Sequence, residues 1–288
     1  MDCGTPEIAQ PVDALPPGRK RRSPFSRKVK FDEDGDGRLL SLVRNATFIS
    51  DAQLVMLALC LGIKPYRQAV RQRINRYIEF KLIRVLPPVA PYKGAVYQIT
   101  RSGLSVLETY GMGLCSISSD TETFPSELQA PHFLELNEVR LAFSNDPILG
   151  RAEWLSDPEI KSRNTAPHVI PFAKDYDSIV KLKDRQGREF LVGLEYERTY
   201  KDARRYEEVV QRIEREKQIC CVIYIVGSID LIGRLIEVLR CPTFPLCVTA
   251  AGVLKQQCLD VNVGFMTANG RRFSTLRQYL TSLKHPMM

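Results

Sequence analysis

Residues 176–206, YDSIVKLKDRQGREFLVGLEYERTYKDARRY, carry the pattern that decides the fold. Alternating apolar residues flank a polar turn at residues 184–187, which predicts a hairpin of two strands with Asp177 on the first. Glu195 and Glu197 end the second strand two residues apart, so their side chains leave the same face of the sheet. An unpaired carboxylate at the edge of a buried sheet is costly, and Mg²⁺ is one group that offsets this cost. The pattern predicts an acidic site at the end of a buried sheet.

The chain around this hairpin predicts a mixed α/β sheet with helices on its faces. The segment ICCVIYIV at residues 219–226 is apolar almost throughout, as expected of a strand that is buried on both faces. The other elements expected here are a helix over 132–143, a strand at 152–155, helices over 200–217 and 229–240, and a strand at 245–250.

The basic residues concentrate near the N-terminus. Residues 1–112 carry 18 Lys and Arg against 10 Asp and Glu, an excess that equals the net charge of +8 for all 288 residues. Residues 113–288 carry 23 of each and are neutral. This distribution favours a DNA-binding module joined to a neutral α/β body. A solvated basic tail is the alternative and accounts for part of the excess.

The cysteines and apolar runs bear on where the protein acts. Eight cysteines form no CxxC pair, which argues against structural zinc and favours a reducing cytoplasm. Residues 1–10 do not have the pattern of a signal peptide, and the longest apolar run, residues 54–62, is too short to span a bilayer. We therefore expect a soluble cytoplasmic protein without membrane contact.

The first third of the chain predicts a disordered basic arm over residues 1–36 and a small helical domain over residues 37–112. The domain is expected to contain helices over 38–45, from 50 and over 66–81, a two-stranded hairpin at 82–86 and 95–100, and a closing helix over 102–109. This order, ending in VYQITRSGLSVLE, resembles winged helix-turn-helix domains. Residues 113–131 are expected to be a linker.

The third helix has two different faces. Val70, Ile74 and Tyr77 belong to one apolar stripe, and polar side chains occupy the other side. Gln, Asn and Arg are the side chains that pair with base edges in the major groove. The predicted DNA-binding residues are Arg67, Gln68, Arg71, Gln72, Asn75, Arg76 and, at the hairpin tip, Lys93. A winged helix used only for protein contacts or dimerisation is the alternative.

The acidic hairpin resembles the core of PD-(D/E)XK nucleases, in which an Asp on one strand precedes Glu-x-Lys on the next. The resemblance implies a PD-(D/E)XK-like mixed-sheet α/β domain over residues 132–288. It also implies that Asp177 and Glu195 hold Mg²⁺ or Mn²⁺, and that Glu138 in the preceding helix completes the site. Glu197 stands at the position of the motif lysine, which departs from the pattern. Lys201, one turn into the next expected helix, could reach back to orient water or stabilise the transition state.

A narrower resemblance rests on several segments together. The winged helix, His132-Phe-Leu-Glu-Leu-Asn-Glu-Val-Arg140, Trp154, Asp177 and the run from Glu195 to Tyr206 are similar to the replication-relaxation family. The similar region covers about residues 38–227. Proteins of this family belong to plasmids and integrative elements and are associated with mobilisation and relaxation of replicating DNA. The resemblance implies double-stranded DNA as a partner, with a second copy of the chain or other proteins of the mobile element as further partners.

Three functions are compatible with these patterns. The first is a DNA-binding accessory protein of a mobile element whose nuclease-like domain serves assembly. In that case Glu195 and Glu197 pair with Lys181, Lys201 and Arg205 as a salt-bridge network. The second is a Mg²⁺-dependent endonuclease that cuts through Asp177, Glu195 and Lys201. The third is a transcriptional repressor. The missing motif lysine favours the first and third over the second.

Overall fold

A computed structural model describes residues 31–121, 123–146, 152–183, 189–241, 243–267 and 269–283. Residues 1–30, which make up most of the expected basic arm, lie outside this part of the chain. The remainder of that arm is structured, because Glu33–Gly37 form a π-helical turn that continues into the first helix.

The first part of the chain folds around a small antiparallel sheet. Its elements are α1 (Arg38–Ala46), β1 (Ile49–Ser50), α2 (Asp51–Cys60), α3 (Arg67–Glu79), β2 (Ile83–Leu86), β3 (Val96–Ile99) and α4 (Arg101–Thr109). The strand order is β1-β3-β2, and both pairings are antiparallel. Apolar side chains from all four helices pack with this sheet in one core.

Two local devices fix α2 and α3. A capping box starts α2, since the Gln53 amide donates to Ser50 Oγ and the Ser50 amide donates to the Gln53 side chain, at 3.3 and 3.2 Å. Val70, Ile74 and Tyr77 bury one side of α3. The Tyr77 hydroxyl donates to the Asp36 carbonyl at 2.9 Å, which ties α3 to the turn before α1.

The rest of the chain builds a mixed seven-stranded sheet. Its elements are α5 (Ala130–Asn145), β4 (Glu153–Ser156), α6 (Asp157–Thr165), β5 (Ser178–Lys183), β6 (Glu189–Glu197), α7 (Ala203–Ile213), β7 (Ile219–Val226), α8 (Asp230–Val238), β8 (Leu246–Ala250), α9 (Ala251–Gln257), β9 (Asn262–Thr267), β10 (Gly270–Thr275) and α10 (Leu276–Ser282). The strand order is β10-β9-β8-β7-β6-β5-β4. Strands β6, β7 and β8 are parallel, and the other neighbours are antiparallel. The expected mixed α/β architecture is confirmed at this level.

Helices cover both faces of this sheet. Helices α5, α9 and α10 pack on one face, and α6, α7 and α8 pack on the other. Strand β7 lies between them with every residue buried, as its apolar sequence predicts. Helices α6, α9 and α10 and strands β9 and β10 are additions to the expected elements. None of the helices in the described ranges combines the length and apolar character that a membrane span requires.

Helix α5 belongs to both cores. Its residues Leu136, Val139 and Phe143 pack on the seven-stranded sheet, whereas Leu134 packs with side chains of the small sheet. Buried hydrogen bonds join the same parts, since Gln53 Nε2 donates to the Leu134 carbonyl at 2.7 Å and Asn137 Nδ2 to the Phe48 carbonyl at 2.8 Å. The helix starts at Ala130, within the segment expected to be a linker, after a 3₁₀ turn at Glu127–Gln129.

Candidate functional site

The two acids of the predicted hairpin come together at one end of the large sheet. Ser178 pairs with Leu194 in the antiparallel register of β5 and β6, so the preceding residue Asp177 comes level with Glu195. Asp177 lies just before β5 rather than within it. The Tyr196 amide donates to Asp177 Oδ2 at 2.7 Å, which fixes the carboxylate against β6.

Asp177 is bound by a histidine of α5. His132 Nε2 lies 3.3 Å from Asp177 Oδ1. Burial lowers the pKa of His132, but its hydrogen bond to Asp177 and the charge of that carboxylate outweigh burial and raise the pKa above its usual value. Burial raises the pKa of Asp177, and the same histidine and the Tyr196 amide bring the pKa below its usual value. Both shifts favour a proton on His132 and a negative charge on Asp177.

Glu195 is bound by a lysine that precedes β5. Lys174 Nζ contacts Glu195 Oε1, and only 9% of the Lys174 side chain and 14% of the Glu195 side chain are exposed. Within the described part of the chain this oxygen accepts no hydrogen bond of ordinary geometry, so the ammonium charge is its main partner. Burial raises the pKa of Glu195 to about 7, against the opposing effect of the Lys174 charge.

Two hydrogen bonds anchor the backbone just before Lys174. The Phe172 amide donates to Asn164 Oδ1 at 2.8 Å, and the Ala173 amide donates to Glu216 Oε2 at 2.9 Å. The Lys174 ammonium also lies 5.0 Å from the centroid of the Tyr176 ring. These contacts hold the lysine at the acidic end of the sheet.

Glu197 and Lys201 also pair, but away from helix α7. Lys201 Nζ lies 2.8 Å from Glu197 Oε1, and 9% of the Glu197 side chain is exposed. The expectation that Lys201 belongs to the next helix is wrong, because α7 begins at Ala203. The Lys201 amide donates to the Tyr206 hydroxyl at 3.0 Å, which positions the segment between β6 and α7.

The remaining predicted partners of the acids lie elsewhere. Lys181 pairs with Glu153 and Glu189, at 3.6 and 2.8 Å, and so does not pair with Glu195 or Glu197. The Arg205 side chain is exposed. Glu138 contacts Lys255, so this residue of α5 is already paired with a cation. The α5 side chain that reaches Asp177 is His132.

The arrangement does not fit a divalent metal as it stands. Asp177, Glu195 and Glu197 each face a cationic side chain of the protein. Among the described residues, no three His, Cys, Asp or Glu side chains are grouped so that they could hold a metal ion. A metal would need to displace His132 or Lys174 from its carboxylate.

The predicted DNA-binding residues follow one side of α3. Arg67, Gln68, Arg71, Gln72 and Asn75 are exposed, on the side of α3 away from its buried stripe. Lys93 is also exposed, in the loop between β2 and β3. Two of these residues, Arg67 and Arg71, also contact side chains of α2, those of Met56 and Asp51.

Arg71 and Arg76 differ from the other residues of this face. Arg71 Nη2 lies 3.3 Å from Asp51 Oδ2 at the start of α2. Arg76 is half-buried, and its Nη2 atom has no hydrogen-bond partner within the described residues. The exposed polar face of α3 is therefore centred on Gln68, Arg71 and Gln72.

No protein-family model, curated protein or solved structure matches the chain.

Sequence reasoning missed two residues of the acidic site. His132 begins the segment that resembles the replication-relaxation family, but nothing in its spacing identifies Asp177 as its partner. Lys174 lies three residues before Asp177 in a segment without helical or strand periodicity. A basic residue so close to the first acid of the hairpin was the available signal for it.

Proposed function

We propose that the chain is a DNA-binding protein whose first part is a winged helix-turn-helix. In this proposal α3 is the recognition helix and the β2–β3 hairpin, with Lys93 in its loop, is the wing. The observation that carries the proposal is the exposed face of α3, where Gln68 and Gln72 lie opposite the buried stripe and Arg71 lies beside them. Such side chains pair with base edges when a helix enters the major groove.

The second part of the proposal concerns the large sheet. The run α5-β4-β5-β6-α7-β7, with α6 inserted, has two antiparallel pairings followed by a parallel one. This order supports a PD-(D/E)XK-like domain. The three ion pairs at Asp177, Glu195 and Glu197 support a degenerate site that serves assembly on DNA.

The biological setting follows from the resemblance to the replication-relaxation family. We propose a cytoplasmic accessory protein of a plasmid or integrative element that acts in mobilisation or relaxation of replicating DNA. A second copy of the chain or another protein of the element is the expected protein partner. A transcriptional repressor would use the same DNA-binding surface, so the experiment on α3 applies to both.

DNA binding is tested with the double variant Arg71→Ala/Gln72→Ala. Labelled duplex DNA of random sequence is titrated with protein at several salt concentrations. The wild type should bind with strong salt dependence because phosphate contacts release counterions. The double variant should bind at least about tenfold more weakly, as expected for the loss of one phosphate or base contact.

The matched control is Arg272→Ala, which removes the same charge from an exposed position of β10. This variant should bind like the wild type. Equal affinity of the double variant and the wild type would remove α3 as the recognition helix. Failure of the wild type to bind duplex DNA would end the DNA-binding proposal.

A second candidate function is a metal-dependent DNA endonuclease. The register that brings Asp177 level with Glu195 favours it, as does the buried Lys174 beside them. It ranks second because both carboxylates would first have to exchange their cationic partners for Mg²⁺ or Mn²⁺.

Plasmid nicking with either metal tests this candidate. The wild type is compared with Asp177→Asn and Glu195→Gln, which keep the shape of each side chain and remove its charge. Cleavage by the wild type that both changes abolish would establish the endonuclease. If the wild type binds DNA but does not cleave it, the endonuclease is excluded and the DNA-binding proposal stands.

A further inference from the structure

Three side-chain amides form a row along the outside of α3. Gln68, Gln72 and Asn75 follow each other at intervals of four and three residues. At about 100° per residue they lie within about 60° of one another around the helix axis, on the side opposite the buried stripe. All three side chains are exposed, and they are named the amide row here.

The amide row makes no contribution to the described part of the fold. Other amides do: Gln53 donates to the Leu134 carbonyl, and Asn137 donates to the Phe48 carbonyl. The side-chain hydrogen bonds from α3 to the rest of the described chain come from Arg67, Arg71, Arg73 and Tyr77. The donors and acceptors of the amide row therefore face solvent without a partner among the described residues.

Arginines lie on both flanks of the amide row. By the same rotation per residue, Arg71 and Arg76 lie about 70° to either side of its centre. Arg71 is held on its flank by Asp51 at 3.3 Å, and Arg76 is half-buried. Arg67 lies further round on the Arg71 side and contacts Met56 Sδ at 3.7 Å. When a helix enters the major groove, its leading side meets base edges and its flanks meet the phosphate backbones.

The length of the amide row matches a few base pairs. An α-helix rises 1.5 Å per residue, so Gln68 and Asn75 are about 10 Å apart along the axis, or roughly three base-pair steps of 3.4 Å. Glu79 follows one turn later on the same line and is exposed. Its carboxylate repels phosphate, which places the end of the groove contact before it. Base contacts from the first turns of the helix are usual in helix-turn-helix proteins.

We propose that the amide row pairs with adenines, so that α3 binds a run of about three or four base pairs rich in A·T. An amide offers a donor and an acceptor side by side, which match N7 and the N6 amino group of adenine in the major groove. Guanine presents two acceptors there and leaves the amide oxygen facing one of them. Arg71 and Arg76 bind phosphates beside the row. The inference rests on the proposed DNA binding by α3 and names its target.

The test is selection from a library of duplexes with a randomised segment of about 20 base pairs, or two helical turns, followed by sequencing of the bound fraction. The full chain should enrich a short A·T run. Gln72→Ala should lose the preference at one position of this run, where discrimination falls by about 5- to 150-fold. Gln72→Arg should replace adenine with guanine at that position, because arginine pairs with the two guanine acceptors.

Two controls separate base contacts from phosphate contacts. Gln256→Ala changes an exposed glutamine of α9 and should leave both affinity and enriched sequence unchanged. Arg71→Ala should weaken binding to all sequences alike and lower the slope of log K against log salt by about 0.9, with the same enriched sequence. Circular dichroism of each variant checks that the helices are intact.

The outcomes distinguish this inference from the function on which it rests. Binding without sequence preference, an enriched sequence without an A·T run, or an unchanged preference in Gln72→Ala would overturn the amide row and leave DNA binding by α3 standing. If the wild type does not bind duplex DNA, both proposals fail.

Discussion

At the scale of single residues, the charge of the Glu195 side chain changes with pH near neutrality. Its pKa is raised to about 7, first by burial and also by the negative charge of Asp177. His132 also has a raised pKa, through its contact with Asp177. Both groups hold a proton more tightly in the folded chain than in the unfolded chain.

This raised affinity for protons sets the sign of a pH effect on stability. The stability that Glu195 contributes is fully present below its unfolded pKa, near 4.5, and is lost as pH rises through about 7. The His132 contribution is likewise present below its unfolded pKa and lost as pH rises through its raised folded pKa. We expect the free energy of unfolding to fall between pH 5 and 8, by about 3 kcal/mol from Glu195 alone.

Urea unfolding at several pH values measures this change. The Glu195→Gln variant should show a shallower fall, because its amide does not titrate. Glu207→Gln, on an exposed residue of α7, is the control and should follow the wild type. A wild-type stability that stays level or rises between pH 5 and 8 would contradict the prediction.

Gly193 is the residue that lets Tyr176 pack on β6. A Cβ added at Gly193 would lie 3.1 Å from the Tyr176 ring and 3.3 Å from Val222 Cγ2. The Gly193→Ala change should destabilise the chain by about 1–3 kcal/mol, the usual cost of overpacking. Gly252→Ala, in helix α9 with open space around its Cα, should be neutral or stabilising in the same urea experiment. Equal stability of the two variants would show that the Tyr176 contact can relax without cost.

At the scale of elements, sequence periodicity predicted the strands and helices that have a regular apolar face. Strand β7 was predicted at its observed bounds, and α3 to within two residues at either end. Helix α6 was missed because its buried side chains, Pro158 and Ile160, form no stripe. A capping box of Ser156 and Glu159 was the signal that could have revealed it.

The acidic site was predictable only in part for a related reason. Asp177, Glu195 and Glu197 lie on regular strands or beside them, so strand pairing predicts their proximity. The cationic partners of these acids do not lie on strands, so strand pairing does not predict their positions. Lys174 comes from an irregular segment and His132 from a helix whose rotation about its axis is set by packing on two sheets.

Helix α5 gives a direct test of the junction between the sheets. Asn137→Ala removes the donor to the buried Phe48 carbonyl and leaves that oxygen unpaired. The expected loss of stability is about 1–3 kcal/mol, the cost of an unsatisfied buried polar group. Chemical denaturation measures the loss, and Asn75→Ala, at an exposed position of α3, is the control. A loss no larger than that of the control would mean that water replaces this hydrogen bond.

At the scale of the whole molecule, the shared helix predicts that the two sheets unfold together. Trp154 is the only tryptophan of the chain and lies on β4, with its ring 6.0 Å from that of Phe143 on α5. Its fluorescence therefore reports on the large sheet, whereas far-ultraviolet circular dichroism reports on all helices. The two signals should follow one transition in urea, as for a single cooperative unit. Separate midpoints would show that the small sheet and its helices unfold independently of the large sheet.

Because α5 packs on both sheets, it also determines where the chain can be divided into fragments that fold. A fragment that ends before residue 130 would leave Phe48, Leu86 and Val96 without the Leu134 side chain that covers them. Such a fragment would expose an apolar surface and tend to aggregate. A fragment that starts at residue 130 would carry Leu134 into solvent. In a chimera of two related chains, both halves would therefore stay folded only if each half kept its own α5 or if the two parents had the same α5 sequence.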